Sequence, residues 1–359
     1  MFLQLRNTYI EQRTEKFAPL VKKRISWSDH ARGLAIMLVV YRHIVVGAQR
    51  ANIPVSAIMF NMQEVFYNFR MAIFFVLSGL FVANSLRKKS TGEVLKNRFN
   101  KIMYPYLVWG FIMMSLQVIF SRFTNSKRHW YELINIIINP RDVDHLWYLY
   151  ILFTCSALYL LFYSLTKNKW VNAFLAIALH VLNFYFISFL YDYGLISDTF
   201  IYYIYFFIGT CLPSLLLDDQ KSRSFLGLRN LLWLIPLFLA GQYFWFIHKD
   251  DRNTYYAIFV VINLAACYVV FILTNLLANY KSTRWLSYLG RYSLYIYILH
   301  VSISAVLRTI YLHSGIVINT WILLFLLWLG GLLIPIFIIN LGRPYGIERL
   351  FSLKTKSDS

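Results

Sequence analysis

The chain has 359 residues, of which 59% are hydrophobic and 19% aromatic, whereas only 14% are charged. Soluble globular proteins carry roughly 25% charged residues, so this composition excludes a soluble enzyme and predicts a protein that crosses a membrane several times. The formal net charge of +19 would suggest a nucleic-acid partner in a soluble protein. Whether it does so here depends on where the Lys and Arg residues lie along the chain.

Apolar runs of about twenty residues recur along the chain and are apolar on every side, as in residues 321–341. A membrane β-barrel would alternate apolar and polar residues over segments of about ten, so we predict an all-α polytopic bundle. The predicted spans are 31–49, 58–86, 104–121, 146–165, 170–190, 199–217, 230–247, 254–278, 291–312 and 318–341. This gives ten helices in one domain, residues 31–341, between an N-terminal segment 1–30 and a tail 342–359.

The basic residues predict the orientation of this bundle. With both termini in the cytoplasm, 23 Lys and Arg fall in cytoplasmic segments and seven in outside loops, as the positive-inside rule requires. The positive charge therefore needs no nucleic-acid partner, and membrane lipids are the expected surroundings. We expect the first apolar run to stay as a membrane helix, because the polar and charged residues 1–30 before it do not resemble a cleaved signal.

The first predicted helix carries two ionisable side chains in register. Arg32 and His43 are eleven positions apart, close to three full turns, so both project from one face, separated by about 16 Å along the axis. Ionisable residues inside a membrane are costly and usually mark a functional site. We expect Arg32 near the cytoplasmic interface and His43 deeper in the membrane to face one cavity or one neighbour.

A second buried cation, Arg70, lies in the next span, deep or towards its outer half. A cation at this depth is a candidate functional residue. A structural alternative is an ion pair with Glu64, six residues earlier.

Basic residues flank the cytoplasmic end of this second span. Arg87 and Lys88 follow it directly, and Arg98 lies in a predicted cytoplasmic loop, residues 90–104. Such a cluster could hold the phosphates of a nucleotide. The positive-inside bias alone explains it equally well.

The fourth span opens with Asp144, His145 and Trp147, which we expect at the outer interface. Aromatic residues gather at membrane interfaces in any membrane protein, so Trp147 alone does not indicate a binding site there. His300 lies in the ninth span, nine residues after Arg291. On one continuous helix nine residues end half a turn out of register, so these two side chains should not face the same way.

No spacing of Cys, His, Asp or Glu along the chain resembles a metal site, and we expect no metal. His300 could belong to a functional site or make a hydrogen bond that holds the bundle together.

Five blocks, in this order, resemble the integral-membrane acyltransferase family 3. The run DHARGLAIMLVVYRH, residues 29–43, is similar to the first-helix signature of that family, an Arg or Lys followed by ten residues and a His. The later blocks that resemble the family are RMAIFFVLSGLF (70–81), LKNRFNKIMYPYL (95–107), HLWYLYILF (145–153) and GRYSLYIYILH (290–300). Asp-His-Ala stands at 29–31 where Asp-Gly-Leu is common, which leaves the Arg-to-His spacing intact.

The resemblance implies an enzyme of the bacterial cytoplasmic (inner) membrane. Such an enzyme takes an acyl group, usually acetyl, from acyl-CoA (acetyl-CoA) on the cytoplasmic side. It delivers this group to a hydroxyl of a cell-surface or lipid-linked carbohydrate. Many relatives carry a further C-terminal hydrolase-like domain, and we expect this chain to lack it.

The resemblance also implies roles for the residues singled out above. His43 is expected to act as general base or, alternatively, to carry the acyl group as a transient acyl-histidine. The expected catalytic residues are His43, Arg32 and Arg70. The expected donor-binding residues are Arg32, Arg87, Lys88 and Arg98. The expected carbohydrate-binding residues are Asp144, His145, Trp147 and His300.

The alternative function, from another class of membrane protein, is that of a transporter or flippase for a lipid-linked glycan or polysaccharide. It would also place ionisable residues at mid-membrane, but it would more often show matched broken helices in two halves. A purely structural membrane subunit leaves the buried Arg70 and His43 without a role.

Overall fold

The computed structural model describes residues 25–119, 129–190, 194–251 and 254–353, and within these ranges the chain is all-helical with no strand. Ten helical segments in the described ranges are long and apolar enough to cross a membrane. This confirms the predicted fold class and the number of spans. Residues 1–24 of the predicted N-terminal segment and 354–359 of the predicted tail lie outside the described residues.

Sixteen α-helices make up the described fold, some of them paired within one span. They are α1 Ser26–Arg50, α2 Ala57–Val65, α3 Tyr67–Leu86, α4 Thr91–Arg98, α5 Tyr104–Ile119, α6 Asn135–Ile138, α7 Trp147–Thr166 and α8 Lys169–Leu190. The others are α9 Gly194–Cys211, α10 Pro213–Leu216, α11 Asp219–Phe225, α12 Leu231–His248, α13 Tyr256–Leu277, α14 Arg284–Arg291, α15 Ser293–His313 and α16 Thr320–Gly342.

The prediction of a loop at residues 90–104 is wrong, because this segment is helical. Ser90 and Glu93 form a capping box: the Ser90 hydroxyl accepts from the Glu93 backbone N–H, and the Glu93 carboxylate accepts from the Ser90 backbone N–H. This reciprocal pair satisfies two N–H groups at the start of α4. A π-helical segment, Phe99–Met103, then joins α4 to α5, and such segments often occur at functional sites.

Glycines bring α3 and α9 into close contact. A Cβ at Gly79 would lie 2.0 Å from the carbonyl oxygen of Phe206, and a Cβ at Gly209 would lie 2.1 Å from that of Val76. Small residues allow such approaches, and membrane helices depend on them because lipid supplies no hydrophobic drive for association. The α3–α9 contact therefore fixes the helix that carries Arg70.

A second pair of glycines sets the register between α1 and the α14–α15 pair. A Cβ at Gly33 would lie 2.1 Å from the carbonyl oxygen of Leu286, and a Cβ at Gly290 would lie 1.8 Å from that of Asp29. His43 follows Gly33 by ten residues, just as His300 follows Gly290 by ten. Two parallel segments in contact at the glycines therefore bring the two histidines to the same depth.

Substituting Gly290 tests this packing. Gly290→Val should lower the free energy of unfolding by about 1–3 kcal/mol or more, because the new side chain meets the Asp29 backbone. Gly92→Val is the matched control, since a Cβ there has nothing within 4 Å. Thermal unfolding of the detergent-purified variants measures the difference, and equal melting temperatures would contradict the close contact.

Candidate active site

Three histidines from distant parts of the chain meet inside the bundle and form the histidine cluster. They are His43 of α1, His145 just before α7 and His300 of α15. The ring centroids of His43 and His145 each lie 5.0 Å from the ring centroid of His300, and they lie 5.9 Å from each other. His145 and His300 are buried, whereas His43 is partly exposed.

Backbone carbonyls determine which ring nitrogens carry hydrogen. His300 Nδ1 lies 2.9 Å from the Ile296 oxygen and 2.8 Å from the Tyr297 oxygen. A carbonyl oxygen only accepts, so this nitrogen carries the hydrogen and Nε2 of the neutral ring accepts. His43 Nδ1, 3.1 Å from His300 Nε2 and 3.0 Å from the Val39 oxygen, is then the donor. The lone pair of His43 therefore resides on Nε2.

His145 lies in the interior and not at the outer interface. The His145 Nε2 atom is 3.1 Å from the Ile298 oxygen, and the Tyr297 hydroxyl donates to the backbone oxygen of His145. Its Nδ1 is buried without a hydrogen-bond partner among the described residues. In the described ranges, no group of three or more His, Cys, Asp or Glu is arranged to hold a metal ion.

A bidentate salt bridge between Arg141 and Asp198 anchors the turn that carries His145. Arg141 donates through Nε to Asp198 Oδ2 at 2.7 Å and through Nη2 to Asp198 Oδ1 at 2.5 Å. Asp198 belongs to α9 and is 1% exposed, so the pair ties this turn to the helix that packs on α3.

The other two predicted carbohydrate contacts stay outside the histidine cluster. Asp144 is exposed, adopts a positive φ of 52°, and accepts a hydrogen bond of 3.0 Å from Gln117. Trp147 lies under the Arg141 guanidinium, 5.2 Å from it, and 5.7 Å from the Tyr202 ring.

Arg70 lies in the first turn of α3 and is 6% exposed. Its Nε and Nη1 atoms have no hydrogen-bond partner within the described ranges, and its guanidinium lies 4.7 Å from the centre of the Tyr67 ring. The structural alternative of a pair with Glu64 is wrong: that carboxylate is 3.3 Å from Arg42 Nη1. Arg70 therefore keeps N–H donors available inside the bundle.

A cavity of about 550 Å³ lies at the end of the bundle predicted to face the cytoplasm. Among its described lining residues four are basic and none is acidic. The basic residues are Arg32, Arg98, Lys101 and Arg291. We call this space the basic cavity.

Three aromatic rings separate the basic cavity from the histidine cluster. The Phe74 and Tyr297 rings both pack against Tyr148, at 5.7 and 5.3 Å, and all three line the cavity. On its other side, the Tyr297 ring lies 5.5 Å from the His145 ring. This aromatic partition places the histidines one layer of side chains beyond the cavity.

Arg98 is held in the basic cavity by neutral partners. Its guanidinium donates to the Ser78 hydroxyl and to the Ser156 hydroxyl, the latter at 3.2 and 3.3 Å. Arg32, by contrast, is 3.3 Å from the Asp29 carboxylate. Among the described residues Arg98 therefore has its geometry fixed while its charge has no carboxylate partner.

The structure separates the predicted donor-binding residues into two groups. Arg32 and Arg98 line the basic cavity, whereas Arg87 and Lys88 are exposed and do not line it. Arg291 also lines the basic cavity, although the sequence assigned it no role. The prediction that Arg291 and His300 face different ways assumed one continuous helix. The helix breaks between α14 and α15 instead, so a register calculated across the break does not hold.

The fold and the site together define a class: a membrane-spanning helical bundle with a histidine cluster in its interior and a basic cavity beside it. A family model described as the acyltransferase domain, that of acyltransferase family 3, matches residues 25–340. The chain belongs to this family and is a membrane acyltransferase. No curated protein and no solved structure matches it.

The anchor of the His145 turn can be tested by Asp198→Asn. This change keeps the shape but removes the charge that Arg141 binds, and we expect a loss of about 1–3 kcal/mol in the free energy of unfolding. Asp250→Asn, at an exposed position, is the control. Unchanged thermal unfolding of Asp198→Asn would argue against the pair as an anchor.

Proposed function

We propose that this acyltransferase moves an acetyl group from acetyl-CoA to a hydroxyl of a cell-surface or lipid-linked carbohydrate, in the cytoplasmic membrane of a bacterium. The observation that carries this proposal is the position of the histidine cluster directly behind the basic cavity. One compartment suits a phosphate-rich donor, and the other supplies a base.

The basic cavity is the proposed donor site. Coenzyme A carries several phosphates, and Arg side chains bind phosphate through paired N–H donors. A volume of about 550 Å³ lies within the roughly 300–1,000 Å³ of ordinary ligand sites. Arg32 and Arg98 hold the nucleotide end, with Lys101 and Arg291 beside them, and the pantetheine arm extends towards the aromatic partition.

His43 is the proposed general base. Its Nδ1–H is bound by His300 and by the Val39 carbonyl, which supports a free lone pair on Nε2 facing the reacting hydroxyl. His300 and His145 are then positioning residues rather than carbohydrate ligands. Base catalysis of this kind typically contributes about 10²–10⁴-fold to the rate.

The proposed chemistry is a direct transfer in two steps. His43 Nε2 takes the proton of the acceptor hydroxyl while the oxygen bonds to the thioester carbonyl carbon, and the carbonyl oxygen becomes an oxyanion. The N–H groups of Arg70 that have no hydrogen-bond partner among the described residues stabilise this charge. The carbon–sulfur bond then breaks, and the departing thiolate takes the proton from His43, which gives the ester and free coenzyme A.

The acceptor is proposed to approach from the opposite, outer side of the bundle. Trp147 offers an aromatic face and Asp144 an exposed carboxylate for sugar hydroxyls on that side. Direct transfer needs the acetyl group to pass the aromatic partition only as the tip of the pantetheine arm, so coenzyme A itself stays on the cytoplasmic side.

The base assignment predicts that His43→Ala lowers acetyl transfer by about 10²–10⁴-fold. His313→Ala, at an exposed position on α15, should leave the rate unchanged. The measurement is incorporation of radiolabelled acetyl groups from acetyl-CoA into glycan in membranes containing each variant at equal amount. Transfer by His43→Ala at the rate of the His313→Ala control would refute the assignment.

The donor site is tested by comparing two arginines of the same basic segment. Arg98→Gln should raise the KM for acetyl-CoA at least about tenfold, because a hydrogen-bonded charge contributes roughly 1.5–3 kcal/mol. Arg87→Gln should leave the KM unchanged, because Arg87 is exposed outside the cavity. The reverse pattern would place the coenzyme on the membrane surface instead of in the basic cavity.

A further inference from the structure

Arg308 of α15 lies on the outward side of the histidine cluster. His300, Ser304 and Arg308 follow one another at intervals of four residues, so they share one face of the helix. Val306 and Ile310, on another face, are exposed at 59% and 61%, as expected for residues that contact lipid. Arg308 is only partly exposed and therefore belongs to the side of α15 that faces the bundle.

Gly47 of α1 makes room for the Arg308 guanidinium. A Cβ at Gly47 would lie 2.4 Å from Arg308 Nη1, so any larger residue would displace this side chain. Gly47 follows His43 by four residues on the same face of α1, which is about 6 Å along the axis. The guanidinium therefore covers the helix face that lies directly outward of His43.

The charge of Arg308 has no counter-charge in the described structure. Within the described ranges it makes no hydrogen bond and no ion pair. The Glu64 carboxylate is bound to Arg42. Two nitrogens of Arg70 also have no hydrogen-bond partner among the described residues. A partly buried cation in a membrane is costly unless it is paired, and none of the described residues supplies a carboxylate to Arg308.

We propose that the acceptor is anionic and that Arg308 binds its carboxylate or phosphate group, close to the hydroxyl that is acylated. This rests on the proposed function, because it takes His43 as the base. The offset along the helix axes is four residues from His43 to Gly47 and eight from His300 to Arg308, or roughly 6–12 Å at about 1.5 Å per residue. This offset requires the anion to be on the same sugar unit or on the next. Paired N–H donors of a guanidinium suit either anion.

The test measures binding without requiring acyl transfer. The purified protein in nanodiscs of zwitterionic lipid is titrated with an oligosaccharide of glucuronic acid, with its carboxyl-reduced form and with inorganic phosphate, and thermal stabilisation is recorded. The wild type should be stabilised saturably by at least one of the two anions and not by the reduced oligosaccharide. Arg308→Gln should weaken the binding at least about tenfold.

Two control variants define the outcome. Arg50→Gln, at the exposed outer end of α1, should bind like the wild type, and Arg308→Lys, which keeps the charge, should retain most of the affinity. Equal anion binding by Arg308→Gln and the wild type would overturn the proposal, as would the absence of stabilisation by both anions.

A further experiment, in nanodiscs of anionic lipid, distinguishes an anionic acceptor from a lipid headgroup as the group that Arg308 binds. If nanodiscs of anionic lipid remove the effect of the soluble anions in an Arg308-dependent way, the anion is a lipid headgroup and the proposal fails. Acetyl-CoA binding is measured in the same samples. Its absence in the wild type would count against the proposed function, whereas the anion results concern Arg308.

Discussion

The contact between His43 Nδ1 and His300 Nε2 is the interaction on which the rest of the site depends. It joins α1 to α15, and it exists because Gly33 and Gly290 allow the same two segments to touch ten residues earlier. Two backbone carbonyls hold the His300 hydrogen on Nδ1, and this leaves only one nitrogen of His43 free to accept a proton. The packing of these helices therefore determines which ring nitrogen of His43 carries the hydrogen.

Around this contact, the basic residues and the histidines lie in two separate places, on opposite sides of the aromatic partition. Cations line the basic cavity, and one of them, Arg98, is held by hydroxyl groups. Aromatic rings close the inner end of the cavity, and the histidines lie behind those rings. In the proposed reaction, a polar donor would remain on one side of the membrane while its reactive end approaches a base in the interior. The same rings would then keep water of the cavity away from the thioester and limit its hydrolysis.

Much of the fold could be predicted from the sequence, because ten apolar runs of about twenty residues reflect the thickness of the bilayer directly. The orientation that the basic residues indicate stays a prediction. Arg32 and His43 lie on one unbroken helix, as predicted. The prediction that they face one cavity is wrong, because Arg32 lines the basic cavity whereas His43 contacts the other two histidines. The meeting of His43, His145 and His300 could not be predicted, because periodicity within a helix says nothing about which helices touch. The Ser-x-x-Glu cap at residue 90 was a readable signal that the loop prediction overlooked, whereas the break before Ser293 carried no proline or glycine at the break itself.

The most direct test of the central claim is an experimental structure of the protein with a non-hydrolysable analogue of acetyl-CoA. The account predicts phosphates against Arg98 and Arg32 in the basic cavity. It also predicts the acyl carbonyl beyond the aromatic partition, with room for one hydroxyl between that carbonyl and His43 Nε2. An acyl carbonyl that stays on the cavity side of Phe74, Tyr148 and Tyr297, or a coenzyme bound outside the cavity, would contradict it.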